Sequence, residues 1–108
     1  MLIYKVLRSE EWEELRGNGA SQGSPDDQRD GFIHLSGADQ VQGTLDKHFS
    51  DENDLVLVAV DSGVLGSALR WEVSRGGVQF PHLYRAMTLA DVAWTKPITA
   101  SLQAGSLL

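Results

Sequence analysis

The hydrophobic positions of the chain fall in short runs, separated by polar or glycine-rich segments, and this pattern predicts β-strands. Residues 55–60 are apolar on both faces, which is typical of a central strand that is covered on both sides. Other runs predict further strands at residues 2–7, 31–36, 70–73, 80–87 and 92–98. Period-two alternation in the second of these puts Phe32, His34 and Ser36 on one face.

A first helix is predicted directly after the first strand. Ser9 is suited to the N-cap, and the glutamates that follow it favour the positive end of the helix dipole. Trp12 and Leu15 are three residues apart and therefore share one face of this helix. Gly17 or Gly19 is expected to end it, because glycine readily adopts the left-handed conformation of a helix C-terminus.

A second helix is predicted after residues 31–36, with Ser36 or Asp39 as its N-cap. Its apolar stripe consists of Val41, Leu45, His48 and Phe49, and a neighbouring polar row consists of Gln40, Thr44 and His48. A short helical turn is predicted within residues 64–69, and a turn at residues 75–77 precedes the later strands.

The segment at residues 17–30 is polar and rich in Gly, Ser and Asp. A connection of this length is uncommon in a small domain, and such loops often cover or bind a ligand. A surface excursion without function explains the composition equally well, so both interpretations stay open at this point.

The order of predicted elements is strand, helix, long loop, strand, helix, and then four strands. Helices come early and strands late, which indicates an α+β fold and not a repeating βαβ unit. Neither an internal repeat nor a linker interrupts the chain, so residues 1–108 are expected to form a single domain. Residues 99–108 lack a pattern and are expected to fray.

Charge and composition exclude several classes of function. The net charge is −6, which argues against binding to duplex nucleic acid or to an anionic membrane. The chain has no cysteine, so disulfides, thiolate metal sites and a cysteine nucleophile are ruled out. Neither a signal peptide nor a run of about 20 apolar residues is recognisable, and we therefore expect a cytoplasmic protein.

Polar residues interrupt three of the predicted strands. They are His34 and Ser36 in GFIHLS, Arg70 and Glu72 in LRWEV, and His82 and Tyr84 in FPHLY. Each of them taken singly is explained by a hydrogen bond inside the core. Their occurrence on three strands of one small chain favours a shared polar cleft. Glu72 has the chemistry of a general base or of a ribose ligand, and convergence of His34 and His82 on zinc is an alternative.

Several segments together identify a resemblance to a bacterial family, the domain of unknown function 952. The matching segments are IYKVL (3–7) with Trp12, SPDDQRDGFIHLS (24–36), Gln40, Thr44 and HF (48–49), DLVLVAVD (54–61), LRWEVSRGG (69–77) and FPHLY (80–84). The likeness covers about residues 3–92. Arg85 departs from the pattern, because the family commonly has glycine at that position.

The resemblance implies an ADP-ribosyltransferase-like fold, with small, strongly curved mixed or antiparallel sheets and two or three short helices. Enzymes of this fold bind NAD between their sheets. The resemblance assigns catalytic roles to Glu72 and His34, and it assigns ligand-binding roles to Ser36, His82, Tyr84, Arg29, Lys5 and Tyr4. Arg29 or Arg85 would meet the pyrophosphate of such a ligand. No metal is expected, because the histidines do not have the spacing of a metal site.

Three functions are compatible with this chain. The first is transfer or hydrolysis of ADP-ribose from NAD, which makes NAD the candidate substrate and a nucleotide the expected small-molecule partner. The second is a module that binds a small ligand without catalysis. The third is a protein-interaction domain in which the polar residues are structural. Convergence of His34, Glu72 and His82 on one concave pocket would nearly exclude the third function, whereas burial of these residues in separate hydrogen bonds would nearly exclude the first.

Overall fold

Three long strands form the central antiparallel sheet in the order β1–β4–β8. The computed structural model describes residues 1–98 and bounds these strands at Leu2–Arg8, Leu55–Asp61 and Val92–Ile98. β4 lies in the middle, and its residues 57–60 are fully buried. The prediction of a central strand at residues 55–60 is therefore confirmed.

A second antiparallel sheet carries the polar residues that interrupt the strand pattern. Its order is β3 (Ile33–His34), β6 (Gln79–Leu83) and β5 (Leu69–Val73). His82 lies directly opposite His34 on one side and Arg70 on the other. Residues opposite each other in a sheet share a face, so the register brings these side chains to the same surface.

Two smaller pairings complete the strand arrangement. β2 (Ala20–Ser21) pairs with β7 (Met87–Thr88). Tyr4 of β1 forms an isolated bridge with Ser36, in which each amide donates to the other residue's carbonyl at 2.8 Å. This bridge ties the central sheet to the segment that follows β3. The strand predicted at residues 31–36 is consequently shorter than expected, and Ser36 pairs with β1.

The helices are α1 (Ser9–Asn18), α2 (Pro25–Asp30), α3 (Val41–His48) and the single turn α4 (Ser62–Leu65). The N-cap of α1 is Arg8, whose amide donates to Glu11 Oε1 at 2.8 Å. The prediction that Ser9 is the N-cap of this helix was wrong, because the Ser9 hydroxyl donates to the Asp54 carbonyl instead. Gly19 ends α1 with a φ of 80°, as expected.

Helix α3 departs from its prediction at both ends. Its N-cap is Gln40, which makes no side-chain capping bond, so neither Ser36 nor Asp39 has that role. Val41 and Leu45 are buried as predicted, whereas His48 is exposed. The core ends one turn before His48, and this side chain borders a cleft.

The segment at residues 17–30 contains regular secondary structure and is not an irregular loop. It contains β2 and α2. Ser24 caps α2 by accepting a hydrogen bond from the Asp27 amide at 3.2 Å, and Pro25 occupies the first helical position. Gly31 ends this helix with a φ of 84°.

Two hydrophobic clusters pack on the two faces of the central sheet. One consists of Ile3, Leu7, Leu15, Ile33, Leu35, Val58, Val60, Leu65, Leu83 and Met87. The other consists of Tyr4, Val6, Val41, Leu45, Leu55, Leu57, Ala59 and Ile98. The architecture is thus α+β with antiparallel sheets and few helices. No helix within residues 1–98 is long and apolar enough to cross a membrane, and the expectation for residues 99–108 falls outside the described residues.

Candidate functional site

A cleft of about 840 Å³ opens where β1, α2, α3 and the second sheet meet. The bridge between Tyr4 and Ser36 brings these elements together. The volume lies within the range of about 300–1,000 Å³ that is usual for sites of small organic ligands. The walls combine apolar side chains with histidines, carboxylates and basic residues, so they can hold both polar and ring-containing groups.

Asp27 is the centre of the hydrogen bonds on one wall. Its carboxylate accepts from Lys5 Nζ at 2.8 Å and from the amides of Ser24 at 2.9 Å and His34 at 3.1 Å, and it contacts His34 Nδ1 at 2.6 Å. Only 1% of the residue is exposed. A buried charge requires such a set of partners, and the short helix α2 delivers the carboxylate between β1 and β3.

The partners of Asp27 decide its ionisation. Burial by itself raises the pKa of this carboxyl, but the hydrogen bond with His34 and the positive charge of Lys5 outweigh burial. The pKa of Asp27 is consequently held well below its usual range. Lys5, which the sequence predicts as a ligand contact, is 7% exposed and is engaged with Asp27 and the His34 carbonyl.

His34 is held by carboxylates at both ring nitrogens. Nδ1 faces Asp27, and Nε2 lies 3.0 Å from Asp30 Oδ2. Asp30 is in turn paired with Arg29, whose hydrogen bond lowers the pKa of the Asp30 carboxyl. Arg29 also pairs with Asp26 at 3.2 Å. A ligand that reaches His34 Nε2 must therefore displace Asp30, the more exposed of the two carboxylates on this ring.

His82 has a different environment from His34. Its Nδ1 lies 2.8 Å from Glu72 Oε1, and the same oxygen accepts from the Tyr84 hydroxyl at 2.6 Å. The Phe32 ring stacks on the imidazole with ring centres 4.1 Å apart, and His82 is only 4% exposed. Within the described residues, His82 Nε2 is the buried side-chain polar atom without a hydrogen-bond partner.

The hydrogen bonds around Glu72 affect two pKa values in opposite directions. The Tyr84 hydroxyl, followed by His82, lowers the pKa of the Glu72 carboxyl. The same hydrogen bond raises the pKa of Tyr84, because it stabilises the protonated phenol. At neutral pH the Glu72 carboxylate is therefore ionised and accepts a hydrogen bond from the protonated phenol of Tyr84.

The cleft brings together most of the residues that the sequence predicts for a site. They are Tyr4, Lys5, Arg29, His34, Ser36 and His82. Ser36 Oγ is 2.9 Å from Thr44 Oγ1 on α3, and the ring centres of His34 and His82 are 5.6 Å apart. Six of the eight predicted residues therefore border one cavity.

Glu72 and Tyr84 are not among the residues that line this cleft. Glu72 contacts His82, which does line the cleft, and Tyr84 donates to Glu72. Arg85, the other predicted pyrophosphate contact, makes two hydrogen bonds to Asp91 at 2.8 and 2.9 Å and likewise does not line the cleft. Arg70 lies over the Tyr84 ring, 5.2 Å from its centre.

Sequence reasoning missed Asp27 and Asp30, although a signal was present. The run Ser24-Pro25-Asp26-Asp27 is typical of a helix start, with a capping serine, proline at the first position and acids in the first turn. Recognition of that helix would have placed Asp27 beside the strand that carries His34. Residues 1–98 contain no group of three or more histidine and carboxylate side chains suited to a metal ion, so the zinc alternative gains no support there.

Comparisons with solved structures find close likenesses in one bacterial protein. The crystal structure of protein CC0527 from Caulobacter crescentus is 42% identical, covers 96% of this chain and 91% of its own, and superimposes with a TM-score of 0.91. The solution structure of CC0527 is also 42% identical, with coverages of 99% and 96% and a TM-score of 0.88. Their descriptions mention no ADP-ribosyltransferase, so that finer likeness stays a prediction.

A comparison with curated proteins finds no match. A family model described as "Protein of unknown function (DUF952)" matches residues 6–95, which is most of the chain. This agrees with the resemblance that the segments around His34 and His82 indicate. The chain therefore belongs to the DUF952 family of proteins of unknown function.

Proposed function

We propose that this protein binds a ribose-containing nucleotide of the NAD or ADP-ribose class in its cleft, and that it binds this ligand without transferring ADP-ribose. The observation that carries the proposal is the state of His82, which lines the cleft with one nitrogen bound to Glu72 and the other without a partner. A buried polar atom without a hydrogen bond costs about 1–3 kcal/mol. A ligand that reaches this nitrogen offsets that cost.

Polar groups on the other walls support a ligand with hydroxyl and phosphate groups. The hydroxyls of Ser36 and Thr44 bond to each other at 2.9 Å, and both residues line the cleft. Lys47 and Arg8 also line the cleft. Lys47 has no ion-pair partner within residues 1–98, so its charge is available to an anionic group without breaking a contact.

Binding without catalysis is supported better than transfer of ADP-ribose. The resemblance assigns the catalytic carboxylate to Glu72, but Glu72 is bonded to His82 and Tyr84 and does not line the cleft. Transfer or hydrolysis remains the second candidate, since the cleft holds two histidines whose ring centres are 5.6 Å apart. Acid–base chemistry uses such groups when they are oriented by carboxylates.

Calorimetric titration and thermal unfolding with NAD and with ADP-ribose test this proposal. A ligand at about 100 times its Kd raises the free energy of unfolding by about 2.7 kcal/mol, which increases the Tm of a domain of this size by about 10 °C. Lys47→Ala is expected to weaken binding roughly threefold to tenfold, the effect of about 1 kcal/mol of lost charge pairing.

Lys96→Ala is the matched control, because it removes the same charge from a lysine that does not line the cleft. Its affinity for ADP-ribose should equal that of the natural chain. Unchanged Tm and no heat of binding with both nucleotides would contradict the proposal. Equal losses in the two lysine variants would show that binding reflects overall charge and takes place outside the cleft.

A further inference from the structure

The partner of His82 Nδ1 determines which proton the imidazole carries. Glu72 Oε1 lies 2.8 Å from Nδ1 and also accepts from the Tyr84 hydroxyl. An ionised carboxylate can only accept hydrogen bonds. The neutral imidazole of His82 therefore has its proton on Nδ1, and Nε2 carries a lone pair. Nε2 is then a hydrogen-bond acceptor.

The direction of Nε2 follows from the order of the strands. Glu72 lies on β5, and β6, which carries His82, separates β5 from β3. The two nitrogens of an imidazole point in divergent directions, so a ring with Nδ1 towards β5 turns Nε2 away from that strand. His34 lies directly opposite His82 on β3 and lines the cleft, so the cleft borders this side of His82.

From this geometry we propose that His82 Nε2 is a fixed acceptor for a hydrogen-bond donor of the ligand, such as a ribose hydroxyl, and that Glu72 is a positioning residue that acts through His82. The inference deepens the proposed function and rests on it for the identity of the ligand. It changes the role of Glu72, which holds the tautomer and orientation of the imidazole and does not itself touch the ligand.

The surroundings prevent the imidazole from turning over to offer the other nitrogen. Phe32 stacks on the ring at 4.1 Å, and the ring is 4% exposed. Tyr84 holds Glu72 in place at 2.6 Å. A flipped ring would leave the Glu72 carboxylate without its imidazole donor, which costs free energy. This rigidity is what makes the acceptor selective.

A fixed acceptor discriminates between chemical groups of a ligand. Hydroxyl and amide N–H groups can donate to Nε2, whereas a carboxylate or a fully ionised phosphate places a lone pair against a lone pair. The phosphates of a nucleotide are thus expected near Lys47, and a sugar hydroxyl is expected at His82. A site built for a donor rejects an analogue that lacks it, because the buried acceptor then stays unpaired.

Nitrogen NMR of the histidine rings in the free protein tests the tautomer directly. At about pH 8, above the usual titration range of imidazole, Nε2 of His82 should resonate as an unprotonated nitrogen and Nδ1 as a protonated one. In Glu72→Ala the acceptor is lost, and the two nitrogens should shift towards a tautomer mixture. Glu72→Gln keeps an amide oxygen as acceptor and should restore most of the original pattern.

The variant Glu13→Ala is the matched control. It removes a carboxylate that pairs with Arg16 on α1, outside the lining of the cleft, and changes the net charge equally. Its His82 signals should not move. A protonated Nε2 in the natural chain, or equal shifts in Glu72→Ala and Glu13→Ala, would overturn the inference.

Addition of ADP-ribose, and of an analogue with fluorine in place of its terminal ribose hydroxyls, tests the ligand. ADP-ribose should shift the Nε2 signal, and the analogue, which cannot donate at that point, should bind roughly tenfold more weakly. Binding of ADP-ribose with an unmoved Nε2 would overturn the inference and leave the proposed function standing. Absence of binding beside an unprotonated Nε2 would support the acceptor and contradict the proposed function.

Discussion

Asp27 is the residue on which the largest number of contacts in the site depends. It accepts from Lys5 and from two backbone amides, and it contacts the His34 ring. These partners are Lys5 of β1, Ser24 at the start of α2 and His34 of β3. The carboxylate thus joins β1, β3 and α2 at one point, and it determines where His34 stands in the cleft.

We expect Asp27→Asn to destabilise the protein by about 3–5 kcal/mol, because it leaves the buried Lys5 ammonium without its counter-charge. Urea unfolding measures this loss. Asp26→Asn is the matched control on the same helix, since Asp26 is exposed and its change should cost less than about 0.5 kcal/mol. Equal stabilities of the two variants would contradict the central role of Asp27.

Asp27 also sets the direction of the dependence of stability on acid. Its pKa is lowered in the folded protein, so the unfolded chain binds a proton first as the pH falls. Its contribution is fully present above about pH 4, the ordinary pKa of aspartate, and is lost as the pH falls below that value. In urea unfolding between pH 6 and pH 3, the Asp27→Asn variant should therefore show a shallower decrease than the natural chain.

At the scale of elements, α2 is the part of the fold that builds the site. Ser24 caps its N-terminus and Gly31 ends it. The composition of this segment had suggested a loop. Gly23 precedes the cap with a φ of 90°, and a Cβ there would lie 2.7 Å from Asp27 Cβ and overlap the carboxylate. The chain approaches Asp27 too closely for any side chain at this position.

We expect Gly23→Ala to destabilise the protein by at least about 2 kcal/mol more than Gly31→Ala, as judged by thermal or urea unfolding. Both glycines have positive φ values, of 90° and 84°, so the cost of the backbone conformation is common to the two variants. A Cβ at Gly31 meets nothing within 4 Å, which makes it the matched control. Similar losses in both variants would show that crowding of Asp27 is unimportant.

Local sequence predicted those elements that have a strong pattern of their own. The runs of aliphatic residues indicated β1, β4 and β8, and Gly19 correctly marked the end of α1. The prediction of Ser9 as an N-cap was wrong, because its hydroxyl donates to the carbonyl of Asp54, a residue distant in the sequence. Short elements such as β2 and β7, with two residues each, depend on partners far away in the sequence and have no pattern to recognise.

At the scale of the whole molecule, β4 is the strand around which both hydrophobic clusters pack. It pairs with β1 and β8 and contributes residues to each cluster. We expect the amides of residues 57–59 to exchange with deuterium only through global unfolding, because these residues are buried and their strand is hydrogen-bonded to β1 on one side and to β8 on the other.

The amides of α2, a helix of six residues at the edge of the cleft, should exchange at least roughly tenfold faster. Exchange measured residue by residue gives the comparison. If the cleft is the site and opening of α2 releases the ligand, ADP-ribose should slow exchange in α2 by a factor close to that in β4, because binding raises the free energy of both openings. Equal protection of α2 and β4 in the free protein would show that the site and the core unfold as one unit.

The sequence by itself determined the α+β fold class, the family and most of the polar residues that meet in the cleft. These features depend on local composition, on the alternation of side chains along strands and on short motifs such as GFIHLS and FPHLY. Only the tertiary structure decided the roles of these residues. The cross-strand register sets His82 beside Glu72, and helix α2 carries Asp27 to Lys5 and His34. Such pairs join residues far apart in the chain, and their contact depends on how the sheets pack, which no local pattern contains.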